Sequence, residues 1–85
     1  MLRLRSNGLF WRESGDDVVV LDSETSEYVA ASGSAALLWK RLAEGATRED
    51  LETTLTERYG IAPDVAARDV ADFVEQLSAR GLLGQ

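Results

Sequence analysis

The chain has 85 residues, a net charge of −6 and 45% hydrophobic residues. This length predicts one domain, residues 1–85, and the hydrophobic fraction favours a folded chain over a disordered one. Cysteine and histidine are both missing. Their absence excludes disulfides, thiolate metal sites and the nucleophile–histidine pairs of many hydrolases. We therefore expect no catalytic residue, no bound metal and no cofactor.

The acidic balance also limits the partners. Nucleic-acid phosphates repel an acidic chain unless its basic residues cluster, and Arg3, Arg5 and Arg12 are followed at once by acidic residues. No stretch is long and apolar enough to span a membrane or to act as a signal peptide. We expect a cytoplasmic protein that binds neither nucleic acid nor membrane.

The first third of the chain predicts three short strands. An aromatic-rich segment, residues 9–13, ends at a turn, and the β-branched run 18–21 ends at the polar turn 22–26. Residues 27–31 form a third, weaker strand. Since neighbouring strands joined by tight turns form a meander, we expect the third strand at an edge of the sheet.

The remaining two thirds predict three helices. Ser32 is the expected N-cap of the first helix, which ends before Gly45. Thr47 is the expected N-cap of the second helix, which ends at Gly60, and Pro63 fits the first turn of the third. Apolar residues at intervals of three and four give each helix one buried stripe. These stripes are Ala35, Leu38, Trp39 and Leu42; Leu51, Leu55 and Tyr59; and Ala66, Val70, Phe73, Val74 and Leu77.

Three strands followed by three helices predict an α+β fold, with the helices packed on a three-stranded antiparallel sheet. The same order of elements is winged-helix-like. We expect Leu82 and Leu83 to return onto the core after the third helix ends at Gly81. Trp11 and Trp39 are expected in the core.

A polar stripe on the third helix is the main candidate for a site. Its residues are Asp69, Asp72, Gln76 and Arg80. The stripe is either a solvated face or the wall of a groove beside the edge strand, whose unpaired backbone could accept an added strand. Tyr28 is either a half-buried sheet residue or a groove residue. Phe73 can pack inward while the edge of its ring lines the base of the groove.

The carboxylate pair Asp69 and Asp72 could also be read as an acid–base dyad, because helical spacing puts both on one face. Splitting the pKa values of such a pair requires an apolar pocket or a histidine, and the sequence indicates neither. Solvation at the surface is therefore the better interpretation of these two residues.

Several short motifs together resemble a known family. They are Trp11-Arg12-Glu13, Leu21-Asp22, Tyr28, Leu37-Leu38-Trp39, Asp69-Val70, Phe73-Val74, Leu77 and Gly81-Leu82-Leu83. On these residues the chain resembles PqqD-like proteins, also called RiPP recognition elements, and in particular the small stand-alone members of lasso-peptide biosynthesis. It departs from them at Ser32 and Ala35, where members often have asparagine and glycine, and at Val29, where many have an aromatic residue.

The resemblance implies a protein without chemistry of its own. Family members bind the leader segment of a ribosomally synthesised precursor peptide and present it to a leader peptidase and a cyclase. The leader adds as an antiparallel strand to the third strand and lies against the third helix. Carried over to this chain, the resemblance implies a pairing edge and a helix wall. The edge is Glu27, Tyr28, Val29, Ala30 and Ala31, and the wall is Asp69, Asp72, Phe73, Gln76 and Arg80.

Two other functions remain open from the sequence. A winged-helix DNA-binding regulator has the same order of elements, but it needs basic residues on its recognition helix. The third helix offers Arg68 and Arg80 against four acidic residues, Asp64, Asp69, Asp72 and Glu75. A structural subunit of a larger complex is the third possibility, because edge strands also serve that purpose.

Overall fold

The structure is a computed structural model that describes residues 1–84; Gln85, the last residue of the predicted domain, lies outside the described residues. Its strands are β1 (Leu9–Ser14), β2 (Asp17–Asp22) and β3 (Glu27–Ala31). Its helices are α1 (Ser34–Ala43), α2 (Arg48–Tyr59) and α3 (Pro63–Ala79). The predicted α+β order, three antiparallel strands and then three helices, is confirmed.

The sheet is a meander in the order β1-β2-β3, so β3 lies at an edge as predicted. Trp11, Val20 and Val29 form one row across the three strands. The β1–β2 hairpin closes through two residues, of which Gly15 has a φ of 64°. A positive φ at the first loop position fits the right-handed twist of the strands and favours glycine there.

One face of the sheet packs on the helices. Val18 and Val20 of β2 are at most 1% exposed, and each helix contributes a buried stripe to the same core. The helical core residues are Ala36, Leu38, Trp39 and Leu42 from α1, Leu51 and Leu55 from α2, and Ala66, Val70, Val74 and Leu77 from α3. Leu82 joins this core at 1% exposure, which confirms that the chain returns after α3.

The N-terminal cap of α1 differs from the prediction. Gly33, not Ser32, is the N-cap, and no side chain caps this end. The backbone turns into the helix with a φ of 59° at Gly33, a conformation that glycine adopts without steric cost. Thr47, by contrast, caps α2 as predicted. Its hydroxyl accepts from the Asp50 N–H at 3.0 Å, and the Asp50 carboxylate accepts from the Thr47 N–H at 3.0 Å.

Two aromatic residues are more exposed than predicted. Tyr59 is 45% exposed because it is the last residue of α2, and its ring instead contacts the Arg58 guanidinium at 5.6 Å. Trp11 is 37% exposed because it lies on the outer strand β1, although its ring still meets the core residue Trp39 edge-on, with 6.1 Å between ring centroids.

The first residues of the chain connect distant parts of the fold, which the sequence did not predict. Leu2 and Leu4 form antiparallel bridges with Ala46 and Leu83. Arg5 then donates to the Asp22 carboxylate at 2.6 Å and to the Gly81 carbonyl at 2.8 Å. These contacts tie the end of β2 to the segment that follows α3.

Asp22 is the one buried charged residue among residues 1–84. The hydrogen bond from Arg5 lowers the pKa of the Asp22 carboxyl below its ordinary value, and the Glu24 N–H, which donates at 3.0 Å, adds to the effect. A carboxyl with a lowered pKa in the folded state stabilises the fold above its ordinary pKa and loses that contribution as the pH falls through the folded pKa.

Asp22→Asn should therefore lower the melting temperature at pH 7, and its difference from wild type should shrink as the pH falls below the ordinary carboxyl pKa of 3.8. Thermal unfolding followed by circular dichroism between pH 7 and pH 2 measures this. Asp16→Asn, in an exposed turn, is the control and should change little. A loss of melting temperature that is equal at both ends of the range would contradict the ion-pair explanation.

Candidate binding cleft

A cleft of about 210 Å³ opens between the edge strand β3 and the second half of α3. Apolar side chains line its base, and the polar residues Ser32, Gln76 and Arg80 border it. The lining residues are Val20; Val29, Ala30, Ala31 and Ser32; Ala35 and Trp39; and Phe73, Gln76, Leu77 and Arg80. Part of the predicted edge strand and part of the predicted helix wall, Phe73, Gln76 and Arg80, thus face one space.

The strand register shows which backbone groups of β3 are already used. A two-residue loop makes Ser14 and Asp17 the hydrogen-bonded pair that closes the first hairpin. The N–H and C=O of one residue point to the same side of a strand, and this side alternates from each residue to the next. Asp17 bonds to β1, so Val20, three residues later, directs its backbone groups to β3. Its partner there is Val29, so we infer that the backbone of Val29 is bonded to β2.

By the same alternation, Tyr28 and Ala30 point their backbone N–H and C=O groups away from β2. Within the described residues no strand lies on that side. Two donors and two acceptors are therefore available at the open edge, next to the cleft. Such an edge can accept an extended peptide as an additional strand.

The side chain of Tyr28 does not line the cleft, and it is not half-buried in the sheet as the alternative interpretation expected. Its cross-strand neighbours are Leu21 and, one strand further, Phe10, and its ring is 73% exposed on the face of the sheet away from the helices. Tyr28 can therefore serve the open edge only through its backbone. Val29 and Ala31, whose side chains point to the other face, are the β3 side chains that pack against the core.

The polar stripe of α3 is divided between two depressions. Gln76 and Arg80 border the cleft. Asp69 and Asp72 border a neighbouring depression of about 280 Å³, at the start of α1, which also reaches Gln76. Phe73 is half-buried and lies between the two, so it separates an apolar cleft from an acidic margin.

Ala35 and Trp39 also line the cleft, although the sequence assigned them only to the core. The indole Nε1 of Trp39 is buried and has no hydrogen-bond partner among residues 1–84. A small residue in the first turn of the helix that follows an edge strand was the available signal, because a larger side chain at Ala35 would occupy the cleft.

The described residues form a cleft with the features of a peptide-binding site. Residues 1–84 hold no group of three or more acidic, cysteine or histidine side chains that could ligate a metal ion. Over the same residues, no helix has both the length and the apolar character needed to cross a bilayer. The cleft combines an open strand edge, an apolar floor and a polar border, which together suit an extended peptide.

Comparison with known proteins agrees with this geometry. Residues 17–83 match the family described as coenzyme PQQ synthesis protein D, PqqD. The chain belongs to this family, and it is a PqqD-like RiPP recognition element. A comparison with curated protein sequences gives no match.

Two solved structures are similar over nearly the whole chain. One, described as TbiB1 in complex with the TbiA(beta) leader peptide, has a TM-score of 0.89 at 25% identity and covers 95% of this chain and 93% of its own. The other, lasso peptide synthetase B1 complexed with the leader peptide, has a TM-score of 0.86 at 30% identity and covers 99% of this chain and 98% of its own.

Proposed function

We propose that this protein binds the leader segment of a ribosomally synthesised precursor peptide, of the lasso type, as an added strand along β3. The observation that carries the proposal is the 210 Å³ cleft beside an open strand edge, in a PqqD-family chain. Both solved neighbours described above are complexes with a leader peptide.

The proposed binding mode follows from the edge and the floor of the cleft. The leader pairs with the free backbone groups of Tyr28 and Ala30, which supplies affinity without regard to its sequence. Its alternate side chains then point to the helices, where Val29, Ala35 and Trp39 favour apolar groups. Gln76 and Arg80 can contact polar parts of the leader at the margin.

We propose further that the chemistry belongs to partner enzymes. PqqD-like recognition elements are binding proteins, and the family match covers most of this chain. The bound leader is presented, in the cytoplasm, to the peptidase that removes it and to the cyclase that closes the core peptide.

The DNA-binding alternative is not favoured. The exposed residues of α3 carry more acidic than basic charge, with Asp64, Asp69, Asp72 and Glu75 against Arg68, whereas a recognition helix needs cations toward the phosphates. Both solved neighbours are leader-peptide complexes.

Isothermal titration calorimetry with a synthetic leader peptide, in the presence of a chelator, tests the proposal. We expect saturable binding by the isolated protein without any metal or nucleotide. A scrambled leader of the same composition is the control. If calorimetry gives no heat at high peptide concentration, and the NMR signals of the backbone amides do not shift on adding the leader, the proposed function is contradicted.

The two halves of the polar stripe should differ in their effect on leader affinity. Gln76→Ala with Arg80→Ala removes polar groups that border the cleft, whereas Asp69→Ala with Asp72→Ala removes groups beside it. An exposed charge contributes about 1 kcal/mol or less, so we expect at most about a ten-fold loss for the first pair and a smaller change for the second. Fluorescence anisotropy with labelled leader measures both, and a larger loss for the aspartate pair would contradict the assignment.

A further inference from the structure

The face of the sheet away from the helices carries an exposed apolar patch. Phe10 and Tyr28 are 61% and 73% exposed, and they border a depression of about 280 Å³ together with half-buried Val19 and Leu21. We call these four residues the outer patch. Large exposed aromatic residues that adjoin one another in a small soluble domain mark an interaction surface more often than isolated exposed residues do.

The outer patch is continuous with the leader-binding edge. Phe10, Leu21 and Tyr28 form one row across the three strands, and Tyr28 also belongs to the open edge of β3. A leader strand paired with β3 would extend this row, because alternate side chains of an added strand point to the same face. A partner on the outer patch would therefore lie beside the bound leader.

Charge narrows the choice of partner. The turns at both ends of the sheet are acidic, with Asp16 and Asp17 at one end and Glu24 and Glu27 at the other. One cation, Arg12, borders the depression. Two copies of this chain would bring acidic ends together, and an anionic lipid surface would be repelled. The patch fits a protein surface that has an apolar centre and a margin of lysine and arginine.

We propose that the outer patch is the docking surface for the enzyme that cleaves the leader, so that this enzyme lies next to the strand it must process. The proposal rests on the proposed function. The enzyme's matching surface is apolar at Phe10 and basic toward the acidic turns. An aromatic residue at the centre of such a contact commonly carries a large share of the binding energy.

The test uses the purified leader peptidase of the same pathway, full-length precursor peptide, and this protein as wild type, Phe10→Lys, Phe10→Leu or Tyr59→Lys. The half-maximal concentration of this protein for stimulated cleavage is measured. We expect Phe10→Lys to raise it by about ten-fold or more, because a cation replaces the aromatic anchor and would be buried against an apolar surface. Phe10→Leu, which keeps an apolar side chain at this position, should retain most of the stimulation. Tyr59→Lys, which alters an exposed aromatic residue on α2, should behave as wild type.

Leader titrations separate this proposal from the proposed function. If wild type binds no leader, the proposed function fails. If wild type binds the leader and Phe10→Lys retains both that affinity and full stimulation of cleavage, the docking surface is wrong. Loss of leader affinity in Phe10→Lys would assign the patch to the leader site and also overturn the docking proposal. A dimer seen by light scattering for wild type but not for Phe10→Lys would assign the patch to a second copy of this chain instead.

Discussion

Ala30→Pro should reduce the affinity for the leader peptide by about ten-fold to a hundred-fold without unfolding the protein. Proline removes the N–H that we place at the open edge of β3, and its ring occupies the position of the incoming strand. A leader carbonyl left unpaired costs about 1–3 kcal/mol, or about five-fold to 150-fold in affinity, which includes this range. The fold should survive because proline is tolerated on an edge strand where its missing N–H makes no ladder bond.

Ala30→Val is the matched control, because it adds bulk on the exposed face but keeps the backbone donor. We expect near wild-type affinity for it by anisotropy and unchanged circular dichroism for both variants. Val29→Pro should behave differently: it removes an N–H that bonds to β2, and we expect a lower melting temperature. Wild-type affinity in Ala30→Pro would show that the leader does not pair with this edge.

Ala35→Leu should also weaken leader binding by about ten-fold or more. Ala35 borders both the cleft and the neighbouring depression, and it is only half-buried, so a larger side chain there extends into the cleft. Apolar leader side chains would then have to displace it, and forcing extra bulk into a packed apolar site costs about 1–3 kcal/mol. The substitution favours the helix almost as well as alanine does, so α1 should be preserved.

The control for Ala35→Leu lies on the same helix. Ala43→Leu adds the same side chain at the exposed last residue of α1. We expect unchanged leader affinity for it and similar melting temperatures for the two variants. Equal affinity of Ala35→Leu and Ala43→Leu would mean that the leader does not enter the cleft at this point.

The order of elements was predictable because glycine and runs of polar residues indicate the turns between them. Gly15 and the polar segment 23–26 separate the strands, while Gly45 and Gly60 end helices at positive φ. The start of α1 was misassigned because Ser32 has a good capping side chain, whereas the chain direction into the helix depends on Gly33. Side-chain preferences therefore predicted the order of the strands and helices. They failed at the start of α1, where the backbone conformation of Gly33 sets the boundary.

The sequence indicated which two elements line the candidate site, the edge strand and the third helix, but not which of their side chains face the cleft. Residues 27–31 show no alternation of apolar and polar side chains, so the sequence could not tell which face of the sheet Tyr28 occupies. The strand register fixes that choice through pairing with β2. The hydrogen bonds from Arg5 to Asp22 and Gly81 could not be predicted from local sequence patterns either, because they join residues 17 and 76 positions apart.

Amide hydrogen exchange of the protein with and without the leader peptide tests the central claim most directly, because it reports individual backbone N–H groups of β3. We predict that the amides of Tyr28 and Ala30 exchange freely in the unbound protein and become protected when the leader binds. The amide of Val29, which bonds to β2, should be protected in both states. If the leader binds and the exchange of Tyr28 and Ala30 stays unchanged, the leader does not add as a strand to β3.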